Sequence, residues 1–334
     1  MTSIPMTSIP ITGKSFLVTG GAGLIGSHIV EQLLGAGARR VVVLDNLSRG
    51  TLANLGSVLG HKAVEFHQID IRDPKAILPL FADIDGVFHQ AAIRITRCAE
   101  APRECLDVLI NGSFNVLECC VAQGVSKVVA ASSASVYGLA DSFPTAESHA
   151  PYNNRTWYGA AKVALEGMLR SFNDMYGLPY VALRYFNVYG PRMDMHGKYT
   201  EVLIRWLDCF DQGIAPKVFG AGRQTMDFVY VGDVARSNLL AMTAAASDEA
   251  VNVASGTETS LLELLQGLAD AAGVRLEGAL APEFLPERKV NPVPRRLADI
   301  SKARTLLGFT ADVGLAEGLR RLLEWRRGSR TMAA

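Results

Sequence analysis

A glycine-rich turn lies between a short apolar segment and a helical segment near the start of the chain. Ser15–Thr19 has the composition of a buried strand, and Gly20, Gly23 and Gly26 follow it in the pattern G-x-x-G-x-x-G. A helix is predicted from this turn to about Leu34. In such a unit the glycines allow a tight turn and a close approach of the backbone to a pyrophosphate, which the helix N-terminus also attracts. The sequence therefore predicts an α/β sheet that binds a dinucleotide.

An acidic residue stands at the end of the second predicted strand. Arg40–Leu44 forms this strand and Asp45 follows it. The position is about twenty residues beyond the glycines, where a carboxylate accepts hydrogen bonds from the adenosine ribose. Because Asp45 would repel a 2′-phosphate, the sequence predicts NAD rather than NADP. The nearby Arg49 is the one feature that favours NADP. The alternative is a glycine-rich turn in an α/β protein with an incidental Asp.

Short β-branched runs alternate with helical segments along the rest of the chain, which is the pattern of a parallel sheet with helices on both faces. Further strands are predicted at 64–69, 86–89, 127–131, 180–184 and 251–254, and helices at about 101–123, 156–176, 198–212, 233–246, 260–272 and 314–328. We expect a doubly wound parallel (Rossmann) sheet over 12–189, rejoined by about 228–255, and a smaller α/β substrate-binding domain over 190–330. Residues 1–11, in which Met-Thr-Ser-Ile-Pro occurs twice, are predicted to be a disordered leader.

Three polar residues in the middle of the chain form a candidate catalytic set. Tyr158 and Lys162 are four residues apart, so they share one face of the helix predicted there. An ammonium beside a phenol favours the phenolate and is expected to lower the tyrosine pKa. Ser133, from the end of a nearby strand, would hydrogen-bond the same substrate oxygen. The Tyr–Lys spacing alone also arises by chance in many helices, so its interpretation depends on the glycine turn.

Composition excludes several classes of protein. Lys plus Arg and Asp plus Glu number 33 each, so no net charge favours nucleic acid or an anionic membrane as a partner. We find no signal peptide and no apolar run of the roughly 20 residues that a membrane span needs. The five cysteines lack C-x-x-C spacing and are expected to be free thiols in a reducing cytoplasm.

With these motifs, the chain resembles the extended short-chain dehydrogenase/reductases, and among them the nucleotide-sugar 4-epimerases. The resemblance runs from about Lys14 to Arg327. Its motifs, in order, are Val18–His28, Asp45–Ser48, Asp70–Asp73, His89–Ala92, Ser133–Gly138, Tyr158–Lys162, Leu183–Arg192, Asp227–Asp233 and Ala298–Lys302.

The resemblance implies an enzyme that inverts C4 of a nucleotide sugar, a UDP-hexose first of all, through a 4-keto sugar. Tyr158 would take the proton of the C4 hydroxyl, Ser133 would hold that oxygen, and Lys162 would stabilise the phenolate. The cofactor-binding residues would be Gly20, Gly23, Leu24, Ile25, Gly26, Asp45, Asn46, Ser48, Asp70, Ile71, Gln90, Ala91, Ala92, Arg94, Tyr158, Lys162 and Phe186. The substrate-binding residues would be Ser133, Asn187, Arg192, Arg288 and Arg296.

Simpler interpretations of two of these residues stay open: Asp70 caps a strand end, and Asn187 is a turn residue. The resemblance also implies a homodimer through the helices near 101–123 and 156–176. A monomer that buries those faces in another way is the alternative.

Three positions depart from the pattern of the epimerases. Met226 stands where an Arg usually binds the substrate diphosphate, which leaves Arg288 or Lys289 to supply that charge. Leu109 replaces the Asn of an N-V-x-G-T motif. Arg296 falls where a residue borders the sugar ring. A guanidinium in a partly dry pocket requires a carboxylate or several acceptors, which favours a uronic acid or an acetamido sugar; the alternative is that Arg296 points into solvent.

Other reactions of the resembled family, and a role without catalysis, are the competing hypotheses. Sugar 4,6-dehydratases typically follow the active-site hydroxyl residue with an Asp-Glu pair, and decarboxylases carry a Glu at the first of these positions. Here Ala134 and Ser135 stand there. A simple NAD-dependent oxidoreductase would accumulate NADH. A non-catalytic dinucleotide-binding module is disfavoured by the intact set of Ser133, Tyr158 and Lys162.

Overall fold

The predicted strands form one parallel sheet at the centre of the protein. The computed structural model describes residues 8–195, 201–287 and 293–331. In chain order its strands are β1 (Ser15–Thr19), β2 (Arg40–Asp45), β3 (Val64–Gln68), β4 (Gly86–His89), β5 (Lys127–Ser133), β6 (Tyr180–Tyr185), β7 (Asn187–Tyr189), β8 (Lys217–Phe219), β9 (Thr225–Tyr230), β10 (Glu249–Val253), β11 (Glu258–Ser260) and β12 (Glu283–Leu285).

The strand order identifies the fold class. Within the described ranges, the central sheet has seven strands in the order β10-β6-β5-β4-β1-β2-β3, and all neighbours are parallel. After β1 the chain builds β2 and β3 on one side, and then β4, β5 and β6 on the other. Ligands of such sheets bind at the carboxyl ends of the strands, beside the point where this direction reverses. The predicted doubly wound fold is confirmed, whereas the division into two domains stays a prediction.

Helices cover both faces of this sheet. They are α1 (Leu24–Gly35), α2 (Pro74–Ile77), α3 (Ile95–Glu100), α4 (Pro102–Leu106), α5 (Ser113–Ala122), α6 (Trp157–Tyr176), α7 (Val202–Gln212), α8 (Val231–Thr243), α9 (Leu261–Ala272), α10 (Ser301–Leu307) and α11 (Leu315–Thr331). Because strand side chains alternate, Phe16 and Val18 pack with α1 and α8, whereas Leu17 packs with α5 and α6. All three are fully buried, which stabilises the fold by about 1.5–3 kcal/mol for each such side chain.

Two small sheets and a second core lie in the second half of the described chain. Strands β11, β9 and β7 form one sheet, and β12 pairs with β8. Trp206 of α7 is buried in a core that α9 and α11 share, and its Nε1 donates a 2.9 Å hydrogen bond to the carbonyl oxygen of Lys217. The sequence predicted none of these five short strands. The short strands were missed because they are three to six residues long and partly exposed.

The helix predicted at 101–123 is not one continuous α-helix. Between α4 and α5, residues Asp107–Gly112 form a π-helical turn, a rare geometry. Leu109 lies in this turn and is buried in the core beneath α6. Among the described residues, Pro102–Ala122 is long and apolar enough to cross a membrane, contrary to the sequence expectation, but half of it is buried inside the protein.

The segment predicted as a disordered leader is ordered in the part that the structure describes. Ile9 and Ile11 are buried against the sheet, and the Ile9 N–H donates a 3.3 Å hydrogen bond to the carbonyl oxygen of Met242 in α8. The prediction is therefore wrong for residues 8–11, because their isoleucines find apolar surface on the main sheet. Residues 1–7 lie outside the described ranges.

The five cysteines are free thiols, as predicted. Cys98 and Cys105 are fully buried beside α6 and hydrogen-bond each other. Burial raises the pKa of both thiols, so they act as small core residues with little thiolate character.

Candidate active site

A cavity of about 1250 Å³ opens at the carboxyl ends of the central strands. Its walls come from the residues that end or follow β1 to β6, as the switch in strand order predicts. The predicted site residues that line it are Gly20, Gly23, Leu24, Ile25, Gly26, Asp45, Asn46, Ser48, Asp70, Ile71, Gln90, Ala91, Ala92, Arg94, Ser133, Tyr158, Phe186, Asn187, Arg192 and Arg296. Lys162 lies behind Tyr158, and Arg288 and Lys289 lie outside the described residues.

The glycine turn brings two backbone segments into contact. Gly20 has a φ of +65°, and a Cβ placed there would lie 2.8 Å from the Cα of Ala91. A Cβ on Gly26 would lie 2.3 Å from the carbonyl oxygen of Gly20. Helix α1 begins at Leu24 beside the cavity, and its first N–H groups have no partner within the helix. The turn therefore has room and donors for a pyrophosphate.

Asp45 ends β2 with its carboxylate at the cavity wall. Its Oδ2 accepts a 3.0 Å bond from the Ala22 N–H, and its Oδ1 accepts a 2.8 Å bond from the Leu47 N–H. Burial raises the pKa of Asp45, and these two hydrogen bonds oppose that shift. Each oxygen can accept one more bond, so the residue suits the two hydroxyls of a ribose. Arg49 lines the same cavity.

Asp70 follows β3 and is held in place by two neighbours. Arg72 donates two bonds to its carboxylate at 2.9 and 2.7 Å, and Asn46 Nδ2 donates a third at 2.7 Å. The hydrogen bonds from Arg72 are the main reason that the pKa of Asp70 falls to about 2. Asp70 thus closes a local turn, as the simpler interpretation held, and also lines the cavity beside Asp45.

The three candidate catalytic residues come together at the ends of β5 and α6. Thr156 caps α6 by accepting a 3.1 Å bond from the Gly159 N–H, which places Tyr158 in the first turn of the helix. Ser133, the last residue of β5, is hydrogen-bonded to the Tyr158 hydroxyl. Lys162 Nζ lies 5.7 Å from the centre of the Tyr158 ring and donates a 2.6 Å bond to the carbonyl oxygen of Ala131.

The pKa of Tyr158 moves in the direction opposite to the sequence expectation. Burial raises it to about 12, against the hydrogen bond from Ser133 and the charges of Arg49 and Arg296. Burial also lowers the pKa of Lys162 to about 8. The expected lowering by Lys162 is wrong for this structure, because the ammonium is bonded to a backbone carbonyl and both side chains are shielded from water.

Several polar atoms at the substrate side of the cavity are buried without a hydrogen-bond partner in the described part of the chain. They are Asn187 Oδ1, Arg192 Nη1, Arg296 Nε and Arg296 Nη2. Arg192 also pairs with Glu31 of α1 through its other terminal nitrogen. Buried polar groups are normally satisfied, so these atoms mark a surface built to meet a polar ligand. Asn187 lies in strand β7 rather than in a turn, and Arg296 faces the cavity rather than bulk solvent.

Two features of the cavity were missed from the sequence. Arg223 lines the wall three residues before Met226, which also lines it; its signal was the Gly-rich loop before β9. The hydroxyl of Tyr185, at the end of β6, shares its proton between Asn238 Oδ1 at 2.9 Å and Gln90 Oε1 at 3.1 Å and so orients Gln90. Asn238 carried no signal, because it lies in α8 far away in the sequence.

Comparison with known proteins places the chain in a family. The pattern of the NAD dependent epimerase/dehydratase family matches residues 16–254. A UDP-glucose 4-epimerase of Mycolicibacterium smegmatis is 38% identical over 93% of this chain and 98% of its own length.

Solved structures agree with this result. A UDP-glucose 4-epimerase of Thermotoga maritima, solved with UDP-glucose, is 35% identical and has a TM-score of 0.87. The match spans 95% of this chain and 99% of that structure. A dTDP-glucose 4,6-dehydratase of Streptomyces venezuelae, solved with NAD bound, is 30% identical with the same TM-score, over 95% of this chain and 98% of its own. This protein belongs to the NAD-dependent epimerase/dehydratase family, and NAD is its cofactor.

Proposed function

We propose that this enzyme inverts C4 of a nucleotide sugar and that the substrate is a UDP-hexose. The observation that carries the proposal is the identity of the two residues that follow Ser133. Ala134 follows Ser133 and is buried in an apolar cluster with Val136, Tyr137 and Phe186. A 4,6-dehydratase needs an acid and a base at this place to remove water from the sugar. Ala134 and Ser135 can provide neither.

The size of the cavity supports two large ligands. Ligand pockets usually enclose about 300–1,000 Å³, and this one encloses about 1250 Å³. The wall with Gly20, Asp45 and Asp70 suits the dinucleotide, whereas the wall with Asn187, Arg192 and Arg223 carries amide and guanidinium groups for a diphosphate. The sugar would then lie between them, against Ser133 and Tyr158. Arg223 takes the place of the missing arginine at Met226 in this arrangement.

Ser133 would hold the hydroxyl on the reacting carbon, and Tyr158 would take the proton of that hydroxyl after the phenol has lost its own. Bound NAD supplies a carrier that accepts a hydride from this carbon and returns it. Since burial keeps the phenol protonated at neutral pH, loss of its proton depends on the cations around it, and Arg49 and Arg296 both act in that direction. Proton transfer by a positioned group contributes about 10²–10⁴-fold to such a reaction.

The test is product analysis with a panel of UDP-hexoses that includes UDP-glucuronate. We expect a C4-inverted sugar of unchanged mass, identified by NMR coupling constants, with no net formation of NADH. A product lighter by one water would instead identify a dehydratase, and stoichiometric NADH would identify an oxidoreductase. Either result would refute the proposal.

We also propose that the protein is a cytoplasmic homodimer that pairs through α5 and α6. Phe114, Met175 and Tyr176 on these helices are 41%, 70% and 56% exposed. The Phe172 ring lies edge-on to Phe114 and is tilted against Tyr176, with 5.4 and 5.3 Å between ring centres. Apolar side chains grouped on a surface favour association. Light scattering should give twice the mass of the chain, and Tyr176→Glu should halve it.

A further inference from the structure

The backbone of Arg296 is fixed beside β9. Its N–H donates a 2.9 Å bond to the carbonyl oxygen of Thr225, and the Thr225 N–H donates a 3.0 Å bond to the carbonyl oxygen of Pro294. Arg295 forms a parallel bridge with Thr225. The segment therefore extends the sheet edge, and the two arginines project to opposite sides of it.

Adjacent arginines have opposite surroundings. Arg295 donates two hydrogen bonds to Glu258, at 2.7 and 2.9 Å, and its guanidinium carbon lies 4.7 Å from the centre of the Phe143 ring. Arg296 turns into the cavity, where its Nε and Nη2 are buried and have no hydrogen-bond partner among the described residues. Buried guanidinium N–H groups without an acceptor lower stability unless a ligand meets them.

The position of Arg296 relative to Tyr158 identifies the part of the sugar that it faces. Both side chains line the same cavity. Tyr158 and Ser133 mark the reacting C4 hydroxyl. In a hexose, C6 is attached to C5, next to C4, whereas the diphosphate is attached to C1 across the ring. The substituents nearest to C4 are therefore the C3 hydroxyl and the group on C6, and of these two only the group on C6 is an anion, in a uronic acid. The diphosphate is at the other end.

The charge of Arg296 favours an anion over a neutral group. Burial lowers the pKa of Arg296 to about 10, so the side chain is still a cation at neutral pH. A neutral amide or hydroxyl would satisfy its N–H groups but leave the charge without compensation. A carboxylate does both, because its two oxygens match two N–H groups of the guanidinium fork.

We infer that Arg296 binds a carboxylate at C6 of the sugar, so that the enzyme selects a nucleotide-linked uronic acid over the corresponding hexose. This inference rests on the proposed function, which supplies the orientation of the sugar. It assigns the choice of substrate to one residue that lies outside the set of Ser133, Tyr158 and Lys162.

Calorimetry on the NAD-loaded enzyme tests the inference with UDP-glucuronate, UDP-glucose and UDP as probes. We expect wild type to bind UDP-glucuronate at least tenfold more tightly than UDP-glucose. Arg296→Gln should remove this preference and leave the affinity for UDP unchanged. The matched control is Arg295→Gln, which changes the neighbouring arginine and should keep the preference of wild type.

Three results would overturn the inference. One is wild type that binds UDP-glucuronate and UDP-glucose equally. Another is an equal loss for all three probes in Arg296→Gln, which would assign Arg296 to the diphosphate. The third is loss of the preference in Arg295→Gln. Arg296→Gln removes a charge whose buried N–H groups have no partner, so the melting temperature of this variant should equal or exceed that of wild type. Arg296→Lys is a second variant, which keeps the positive charge but lacks the paired N–H groups of the guanidinium. Absence of C4 inversion in the product assay would refute the proposed function and leave this binding result standing.

Discussion

Lys162 Nζ donates a 2.6 Å hydrogen bond to the carbonyl oxygen of Ala131, two residues before Ser133 on the same strand. The bond connects the first turns of α6, which carry Tyr158, to the end of β5, which carries Ser133. The relative position of the phenol and the hydroxyl therefore depends on this lysine as well as on helix packing.

Lys162→Met should lower turnover at least about 10²-fold, because it removes the connection that holds Tyr158 beside Ser133 for proton transfer. A second lysine offers a matched control. Lys127 is fully buried and donates a 2.7 Å bond to the carbonyl oxygen of Ala244, away from the cavity. Lys127→Met makes the same chemical change and should keep turnover within a fewfold of wild type. Equal losses in steady-state rates of the two variants would show that Lys162 has only a structural role.

Tyr158→Phe should reduce turnover by at least about 10²-fold and leave the fold and the NAD content unchanged. The control is Tyr180→Phe, which removes a buried hydroxyl whose partner, Asp248 at 2.7 Å, lies outside the cavity. Activity, circular dichroism and bound NAD should be measured on both. Near-normal turnover in Tyr158→Phe would remove the tyrosine from the proton transfer.

Stability should rise with pH in the range where Lys127 loses its proton. Burial lowers the pKa of Lys127 from 10.5 to about 8. Between these values the unfolded chain holds a proton that the folded protein has released, so the free energy of unfolding increases with pH across this window. The free energy of unfolding of wild type minus that of Lys127→Met, measured with urea, should increase by up to about 1.4 kcal/mol per pH unit. A difference independent of pH would mean that Lys127 stays charged in the fold.

Asp45 should decide the choice between NAD and NADP. Wild type is expected to prefer NAD at least tenfold, because the carboxylate accepts from ribose hydroxyls and repels a 2′-phosphate. Asp45→Asn removes the charge but keeps an oxygen for the Ala22 or Leu47 N–H. It should bring the two affinities, measured by calorimetry on cofactor-free protein, to within about threefold. Equal or tighter binding of NADP by wild type would contradict this role.

Two glycines of α1 should respond in opposite ways to the same substitution. Gly26→Ala places a methyl group 2.3 Å from the carbonyl oxygen of Gly20, so it should destabilise the protein by about 1–3 kcal/mol and weaken NAD binding. Gly35→Ala meets no atom within 4 Å and should stabilise it by about 0.5–1 kcal/mol, since Ala favours helix. Urea unfolding measures both. A neutral Gly26→Ala would show that the turn opens easily.

The first half of the protein was predictable because its signals are local. The strand, glycine turn and Asp45 are neighbours in sequence, and the structure places strand β1 at Ser15–Thr19 as predicted. Ser133 and Tyr158 were predicted to act on one substrate oxygen, and the resemblance assigned Asn187 to the same substrate; all three line one cavity. Ends of parallel strands converge on one edge of a sheet, so this much of the site follows from topology.

The predictions that failed concern properties that depend on tertiary surroundings. The pKa of Tyr158 is controlled by burial, which no spacing of Tyr and Lys encodes. Ile9 is buried because it reaches Met242, more than two hundred residues later in the chain. Arg296 was recognised as unusual, but its contrast with Arg295 depends on Glu258, which the sequence does not place beside either.

The edge strand β10 determines how late in synthesis the central sheet can be completed. Strand β10 pairs with β6 through Glu249↔Val181 to Val253↔Tyr185. About three quarters of the protein must therefore leave the ribosome before all seven strands of the sheet are present. Until then β6 presents a row of unpaired N–H and C=O groups, an edge that other chains can join. A protein truncated before Glu249 would keep all of Ser133, Tyr158 and Lys162 and would nevertheless be prone to aggregate.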